Sequence, residues 1–239
     1  MNTSQTGIPE RERVSANQIL PLENGDRLSR QEFERRYIAM PQCKKAELVE
    51  GVVYMASPLR FKSHAKPHAR IITWLGLYQI STPGVEIGID PTVRLDLDNE
   101  PQPDAVLLID ERAGWRSRIS DDDYVEGAPE LVAEIAASSA AYDLHDKKRA
   151  YRRNGIREYI VWQMFENKLD WFSLKEGEYV PLAPDEAGVV QSQVFPGLWL
   201  AVPALLAGDM PKVLAVSQSG LNSPEHAEFV KRFQSNCRC

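Results

Sequence analysis

Three charged residues stand in the sequence where an apolar core is expected. Glu134 lies in the middle of LVAEIA (131–136), a run typical of a buried strand, and Asp104 opens the apolar part of PDAVLLI (103–109). Lys147 follows Glu134 by thirteen residues, on a segment with helical spacing. Because an unpaired buried charge costs several kcal/mol, we expect these groups to be paired with one another or to hold a metal ion.

The spacing of these residues suits metal-assisted chemistry on a bound water. Steps of about 100° per residue place Lys147 in one helical arc with Asp143 and Tyr151. Carboxylates on neighbouring strands, Asp104 and Glu134, suit Mg²⁺, which takes oxygen ligands and keeps several waters. A nearby lysine could orient or deprotonate the attacking water, or stabilise developing negative charge. The alternative is structural: Pro-Asp commonly opens a turn, and a buried Glu-Lys pair can be a plain ion pair.

Two further groups of side chains admit both a functional and a structural interpretation. His64 and His68 in HAKPH have the i,i+4 spacing of shared zinc ligands, but no metalloprotease glutamate follows His64 and no third ligand is evident. In KKRAYRRNGIR (147–157), Arg149, Arg152 and Arg153 fall on the side of the helix opposite Lys147. They form either a solvated surface or a local contact for DNA phosphates.

Composition excludes several classes of protein. The 239 residues carry 28 basic and 34 acidic side chains, a net charge of −6, so any nucleic-acid contact must be local. No apolar run approaches the roughly 18 residues of a membrane span, and the polar N-terminus carries no signal-peptide pattern, so we expect a cytoplasmic protein. Three cysteines are too few for a disulfide framework.

The elements that must position the charges follow from the local patterns. A helix capped by Ser29 is predicted for LSRQEFERRYIAM, and a hairpin that turns at Glu50-Gly51 is predicted for AELVEGVVYMAS. A second helix is predicted for HAKPHARIITWLGLYQI. Strand-like runs follow in VEIGIDPTVRLDL and PDAVLLI, and then a long polar loop over 110–129, either mobile or functional. A strand at 131–136, a helix at about 142–153 and a strand at 157–163 form a strand-helix-strand unit, followed by a β-meander from KLDWFSL, GEYVPL and VVQSQVF.

This order of elements predicts an α/β domain, a mixed β-sheet flanked by helices. We expect a flexible N-terminal lead over 1–27, the domain over 28–207, and a C-terminal tail over 208–239 with a helix beginning at Ser223-Pro224.

The motifs, in this order, resemble the Uma-type family of restriction-endonuclease-like proteins in the PD-(D/E)XK nuclease superfamily. The resemblance covers about 33–206: AELVEGVVYMASP is similar to the opening hairpin, PDAVLL to the Pro-Asp strand, and PELVAEIAASS to the acidic strand. The family's lysine helix and the strand after it are resembled by DLHDKKRAYRRNGIREYIVW. The closing segment is resembled by VFPGLWL. The resemblance implies a restriction-endonuclease-like fold.

The same resemblance implies a metal-dependent DNA endonuclease. Asp104 and Glu134 would hold Mg²⁺ or Mn²⁺, and Lys147 would be the catalytic lysine, displaced from strand to helix because Ala136 occupies the usual Glu-x-Lys position. Tyr151 would support the lysine. Glu47 and His64 would also line the site.

Two other interpretations of the protein concern its activity and its self-association. The protein could be an inactive binding or scaffold protein on a nuclease fold, since fold does not determine function. It could also form a homodimer, with exposed aromatic residues as the contact face; the candidates are Trp171, Phe172, Tyr179 and Trp199.

Overall fold

The computed structural model describes residues 19–110, 117–137 and 140–236. Its helices and strands follow one another much as the sequence patterns predict. The strands are β1 (Ala46–Val49), β2 (Val52–Met55), β3 (Val85–Ile89), β4 (Val93–Arg94), β5 (Ala105–Ile109), β6 (Arg118–Ile119), β7 (Val125–Glu126), β8 (Leu131–Ala136), β9 (Glu158–Gln163), β10 (Lys168–Lys175), β11 (Glu178–Pro181), β12 (Val189–Gln191) and β13 (Trp199–Ala201). The helices are α1 (Arg30–Ile38), α2 (Lys66–Ser81), α3 (Ala140–Tyr142), α4 (Lys148–Asn154), α5 (Val202–Ala207), α6 (Met210–Leu221) and α7 (Pro224–Asn236). A π-helical turn, Phe61–Ala65, leads into α2, and another, Asp143–Lys147, leads into α4.

A six-stranded mixed sheet in the order β11-β10-β9-β8-β5-β3 forms the centre of the fold. β8 and β9 pair in parallel across the predicted strand-helix-strand unit, and the other pairs in this sheet are antiparallel. Ala105 of β5 lies opposite Ala133 of β8. Asp104 directly precedes Ala105, and its side chain accepts a hydrogen bond from the Ile135 N–H, so it lies beside Glu134 of β8. The mixed α/β sheet that the sequence predicts is confirmed.

The two faces of β8 pack against different cores. Leu131, Ala133 and Ile135 join a large apolar core that includes Trp74 and Tyr78 of α2. Val132 and Ala136 point to the other face, where Tyr151 and Tyr159 are also buried. Glu134 shares that second face by strand alternation, so its carboxylate points toward α4.

The chain beyond 207 is built into the large core. α6 and α7 bury Val213, Phe229 and Phe233 in the same apolar cluster as α2. At the other end, residues 19–27 of the predicted lead contact the hairpin: Leu22 is buried and Arg27 bridges Val52. The described parts of both predicted tails therefore contribute to the packed fold, and residues 1–18 lie outside the described chain.

Three local expectations are corrected. VVQSQVF does not extend the meander, because β12 pairs with β13 in a separate two-stranded sheet. The predicted loop over 110–129 contains β6 and β7, which form a small sheet with β4, while residues 111–116 lie outside the described chain. Trp171 and Phe172 are buried, so they cannot form an exposed dimer face. Within the described residues, no helix is long and apolar enough to cross a membrane.

Candidate active site

The buried lysine forms the centre of a cluster of carboxylates. Lys147 Nζ lies 2.9 Å from Glu134 Oε1 and 2.9 Å from Glu47 Oε1. Asp143 Oδ1 is 3.8 Å away, one helical turn before the lysine. The Tyr151 hydroxyl donates a 2.8 Å hydrogen bond to Glu134 Oε1. The structure thus brings together the predicted Glu134, Lys147, Tyr151 and Glu47.

Separate elements deliver these groups to one point. β8 carries Glu134 on the face that α4 covers, and the π-helical turn Asp143–Lys147 ends at the lysine. Glu47 comes from β1, and its Oε1 also accepts a 2.7 Å hydrogen bond from the backbone N–H of Gln102. π-helical turns are rare and occur often at functional sites.

Asp104 lies beside this cluster, one residue before β5. Its Oδ2 accepts a 2.6 Å hydrogen bond from the Ile135 N–H, which locks the carboxylate against β8. Its Oδ1 is 3.1 Å from His64 Nε2 and 3.9 Å from Lys45 Nζ. His68 Nε2 lies 2.7 Å from the Asp104 backbone carbonyl.

The histidine pair acquires in the fold the third ligand that the sequence did not reveal. One ligand atom each from His64, His68 and Asp104 can lie within 4.8 Å of the others. Because Asp104 also lies beside Glu134, this trio adjoins the carboxylate pair and does not form a separate centre. His64 Nδ1 is buried without a hydrogen-bond partner among the described residues.

A cavity of about 750 Å³ opens above these groups. The carboxylates and the lysine form its floor, since the side chains of Asp104, Glu134 and Lys147 are at most 5% exposed. The tilted rings of Tyr54 and Tyr142 pack against each other in its wall, with centroids 3.9 Å apart. The described lining residues are Lys45, Glu47, Tyr54, Met55, Ala56, Ser57, Pro58, Leu59, Arg60, Ser63, His64, Asp104, Glu134, Ile135, Ala137, Tyr142, Asp143, Lys147 and Phe165.

The cavity floor carries more negative than positive charge. The acids are Glu47, Asp104, Glu134 and Asp143, and the lysines on the described lining are Lys45 and Lys147. Burial raises the pKa of Glu134, the Lys147 ammonium opposes this rise, and the neighbouring Asp143, Asp104 and Glu47 add to it. Burial also opposes the charge of Asp104, but the hydrogen bond from His64 and the nearby Lys45 outweigh it and lower the pKa of this carboxyl.

Lys147 is held as an ammonium ion. Burial works against its charge, but Glu134, Glu47 and Asp143 together raise its pKa well above the usual value. Geometry leads to the same conclusion, because an amine surrounded by three carboxylates gains more from a proton than it loses by burial. The arrangement therefore suits Lys147 to orienting water or stabilising negative charge.

The donor set fits a hard divalent cation. Carboxylate oxygens are the ligands that Mg²⁺ and Mn²⁺ prefer, and Asp104 and Glu134 line the same cavity, with the Asp104 carboxylate held at Ile135, next to Glu134. Within the described chain, hydrogen bonds to Glu134 reach only Oε1, from Lys147 and Tyr151, which leaves Oε2 as a possible ligand atom. A divalent ion would also offset the excess negative charge of the floor.

The predicted surface arginines lie away from this cavity. Arg149 and Arg153 both form ion pairs with Glu50, at 3.2 Å and 3.0 Å, and Arg152 pairs with Glu178. The three arginines that the sequence offered as a DNA contact or a solvated surface are therefore engaged in ion pairs within the protein. Lys148, the neighbour of Lys147, turns the other way, with its ammonium over the ring of Phe172.

Sequence reasoning did not assign Asp143, Lys45 or Tyr142 to the site. Asp143 had a signal, because it shares the helical arc of Lys147. Lys45 and Tyr142 had none, since their place depends on how the hairpin packs on the sheet.

Comparisons with known proteins agree with this architecture. The family model described as "Uma2: Putative restriction endonuclease" matches residues 30–203. The chain is also similar to a solved structure titled "Crystal structure of a putative nuclease belonging to DUF820 from Anabaena variabilis ATCC 29413", with a TM-score of 0.54 and 12% identity. That likeness covers 72% of this chain and 96% of the other, and it concerns the fold. No curated protein matches the chain.

Proposed function

The chain belongs to the Uma2 family, described as putative restriction endonucleases, and we propose that it hydrolyses phosphodiester bonds in DNA with the help of a divalent metal ion. The observation that carries this proposal is the pairing of Lys147 with Glu134 at 2.9 Å, beside Asp104, on the floor of an open cavity. Family membership, which confirms the resemblance predicted from the motifs, supports the same reaction class.

Asp104 and Glu134 would hold Mg²⁺ or Mn²⁺. When bound, such an ion polarises the scissile phosphate and lowers the pKa of a water ligand. The Ile135 N–H fixes the orientation of Asp104, and the Tyr151 hydroxyl fixes that of Glu134. These contacts prepare the ligand oxygens before the substrate arrives, so that little reorganisation is needed during the reaction.

Lys147 supplies positive charge at the reacting phosphate. Its ammonium can donate a hydrogen bond to the attacking water or to a phosphate oxygen, where negative charge increases in the transition state. Glu47 and Asp143 keep the amine protonated and in place. The lysine is therefore proposed as an electrostatic and orienting group and not as the base.

A scaffold function without catalysis remains the second candidate, and one observation favours it. The Lys147 ammonium already contacts Glu47, Glu134 and Asp143, so the cluster can act as a closed ion network that only holds β1, β8 and α4 together. Such a network would neither need nor bind a metal ion.

A cleavage assay distinguishes the two candidates. Purified protein is incubated with supercoiled double-stranded DNA and with circular single-stranded DNA, in Mg²⁺, in Mn²⁺ and in EDTA. We expect metal-dependent cleavage by the wild type and a loss of about 100-fold or more in Lys147→Ala. Lys148→Ala is the matched control, because the neighbouring ammonium lies over Phe172, and it should retain the wild-type rate.

Folding of each variant is checked by circular dichroism and thermal melting. Since Lys147→Ala leaves buried carboxylates without their cation, Asp104→Asn serves as a second variant that keeps the shape of the side chain. Wild-type cleavage rates in either folded variant, or equal rates in EDTA, would contradict the proposed mechanism.

A further inference from the structure

The mouth of the cavity carries exposed apolar side chains. Leu59, Phe61 and Phe165 are 63%, 73% and 69% exposed. Leu59 and Phe165 line the cavity, and Phe61 begins the π-helical turn that holds His64. We call residues 59–62 together with Phe165 the rim. Large exposed apolar side chains grouped around a polar cavity mark an interaction site.

The rim also carries positive charge that the fold does not use. Arg60 and Lys62 are exposed, and no carboxylate of the described chain forms an ion pair with either. In this respect they differ from Arg149 and Arg153, which are paired with Glu50. In a chain with a net charge of −6, an unpaired basic segment beside the site indicates a polyanionic ligand.

The depth of the floor restricts which polyanion can reach it. The side chains of Asp104 and Glu134 are only 5% exposed, so a phosphate must enter the cavity to approach them. The volume of about 750 Å³ falls in the range of pockets for small ligands, roughly 300–1,000 Å³. A cavity of this size suits a short piece of a single strand.

We propose that the rim binds unpaired DNA, a single strand or an unwound end, with bases stacked on Phe61 and Phe165 while Arg60 and Lys62 contact the phosphates. This inference rests on the proposed nuclease function, since it names the substrate class of the same site. Aromatic platforms alternating with cations are the usual means of binding single strands without sequence preference. The alternation Leu59-Arg60-Phe61-Lys62 provides both within one segment.

A second copy of this chain is a less suitable occupant. In a two-fold symmetric contact the same patch meets itself, so Arg60 and Lys62 of one rim would face those of the other. Like charges at close range oppose such a contact. A DNA strand removes this conflict and brings negative charge to both cations.

The test measures binding separately from cleavage. Fluorescence anisotropy in EDTA is recorded for a labelled single strand, for the blunt duplex of the same sequence, and for a strand of equal length with abasic sites at its centre. The proteins are the wild type, Phe61→Ala/Phe165→Ala, Arg60→Ala/Lys62→Ala and a control, Leu97→Ala. The control removes a side chain that is 74% exposed outside the cavity.

We expect the wild type to bind the single strand at least about 10-fold more tightly than the duplex. Loss of one base stack corresponds to roughly 5- to 150-fold in affinity, so the abasic strand should bind the wild type more weakly by that factor. The double variant should bind both strands equally weakly, while Leu97→Ala should match the wild type. Arg60→Ala/Lys62→Ala should weaken the binding of all forms of DNA and reduce the salt dependence of that binding.

Three outcomes would overturn the rim proposal. They are equal or tighter binding of the duplex, an abasic penalty that persists in the double variant, and a change of oligomeric state in the double variant without loss of DNA affinity; light scattering detects the last. Metal-dependent cleavage that remains in these cases would leave the nuclease function standing. If the binding pattern appears but no form of DNA is cleaved, the rim assignment holds and the nuclease function fails.

Discussion

Metal binding to the cavity floor should stabilise the fold, and Asp104→Asn should abolish that effect. The wild-type floor holds four carboxylates, Glu47, Asp104, Glu134 and Asp143, against the lysines at positions 45 and 147. Asparagine at position 104 keeps an oxygen that can accept the Ile135 N–H bond, but it removes the charge that faces the cation. The substitution therefore changes the ligand and preserves the local hydrogen bond.

The size of the effect follows from mass action. A ligand present at 100 times its dissociation constant, and bound only by the folded state, stabilises that state by about 2.7 kcal/mol. For a chain of this length, each kcal/mol shifts the melting temperature by roughly 2–4 °C. We therefore expect a rise of about 5–10 °C in saturating Mg²⁺ or Mn²⁺.

The assay is thermal unfolding by circular dichroism in EDTA, Mg²⁺ and Mn²⁺. Glu100→Gln is the matched control, because Glu100 is a buried carboxyl that does not line the cavity, and this variant should keep the full metal response. The reasoning is refuted if the wild type melts at the same temperature in all three solutions. It is equally refuted if the rise survives in Asp104→Asn, since the metal would then bind elsewhere.

Three further predictions concern the fold. Burial and the neighbouring Glu34 raise the pKa of Glu100 from 4.5 to about 8, so the folded chain holds an extra proton between these values and its free energy of unfolding falls as the pH rises through that window. Urea unfolding of the wild type from pH 5 to 8 should show this decline. In Glu100→Gln the decline should be smaller, by at most about 1.4 kcal/mol per pH unit, and parallel curves for the two proteins would contradict the prediction. In Gly220→Ala the new methyl group would clash with the backbone oxygen of Gly197, which should cost about 1–3 kcal/mol in urea unfolding, whereas Gly76→Ala on α2 meets open space and should be neutral or stabilising. Glu158→Gln should cost about 1–3 kcal/mol in the same assay, because the buried carboxylate accepts hydrogen bonds at both oxygens and an amide can accept at only one; unchanged stability would show that these bonds are dispensable.

The main contacts of the site could be predicted because they follow from short-range periodicity. The apolar run placed Glu134 in a buried strand, and helical spacing placed Lys147 on one arc with Asp143 and Tyr151. The structure joins the two at 2.9 Å. The same helical spacing directs the neighbouring Lys148 away from this cluster, and its ammonium lies over Phe172.

Contacts between distant segments could not be predicted in the same way. Glu47 reaches Lys147 only because the β1–β2 hairpin packs beside the sheet, and no local pattern specifies that position. Ser223-Pro224 predicted the start of α7 but not the core that Phe229 and Phe233 join. The ion pairs of Arg149 and Arg153 with Glu50 were likewise invisible, since the partners lie about a hundred residues apart along the chain.

The π-helical turn Asp143–Lys147 makes the site sensitive to chain length. Such a turn contains one residue more than an α-helical turn, so deletion of one residue within it would leave a regular helix. The segments on either side would then rotate relative to each other by about 100°. For a deletion between Asp143 and Lys147, either Asp143 or the pair Lys147 and Tyr151 would leave the cluster around Glu134, although all these side chains would still be present. Natural variation in this segment should therefore take the form of replacements at outward positions such as His145, while insertions and deletions should be excluded.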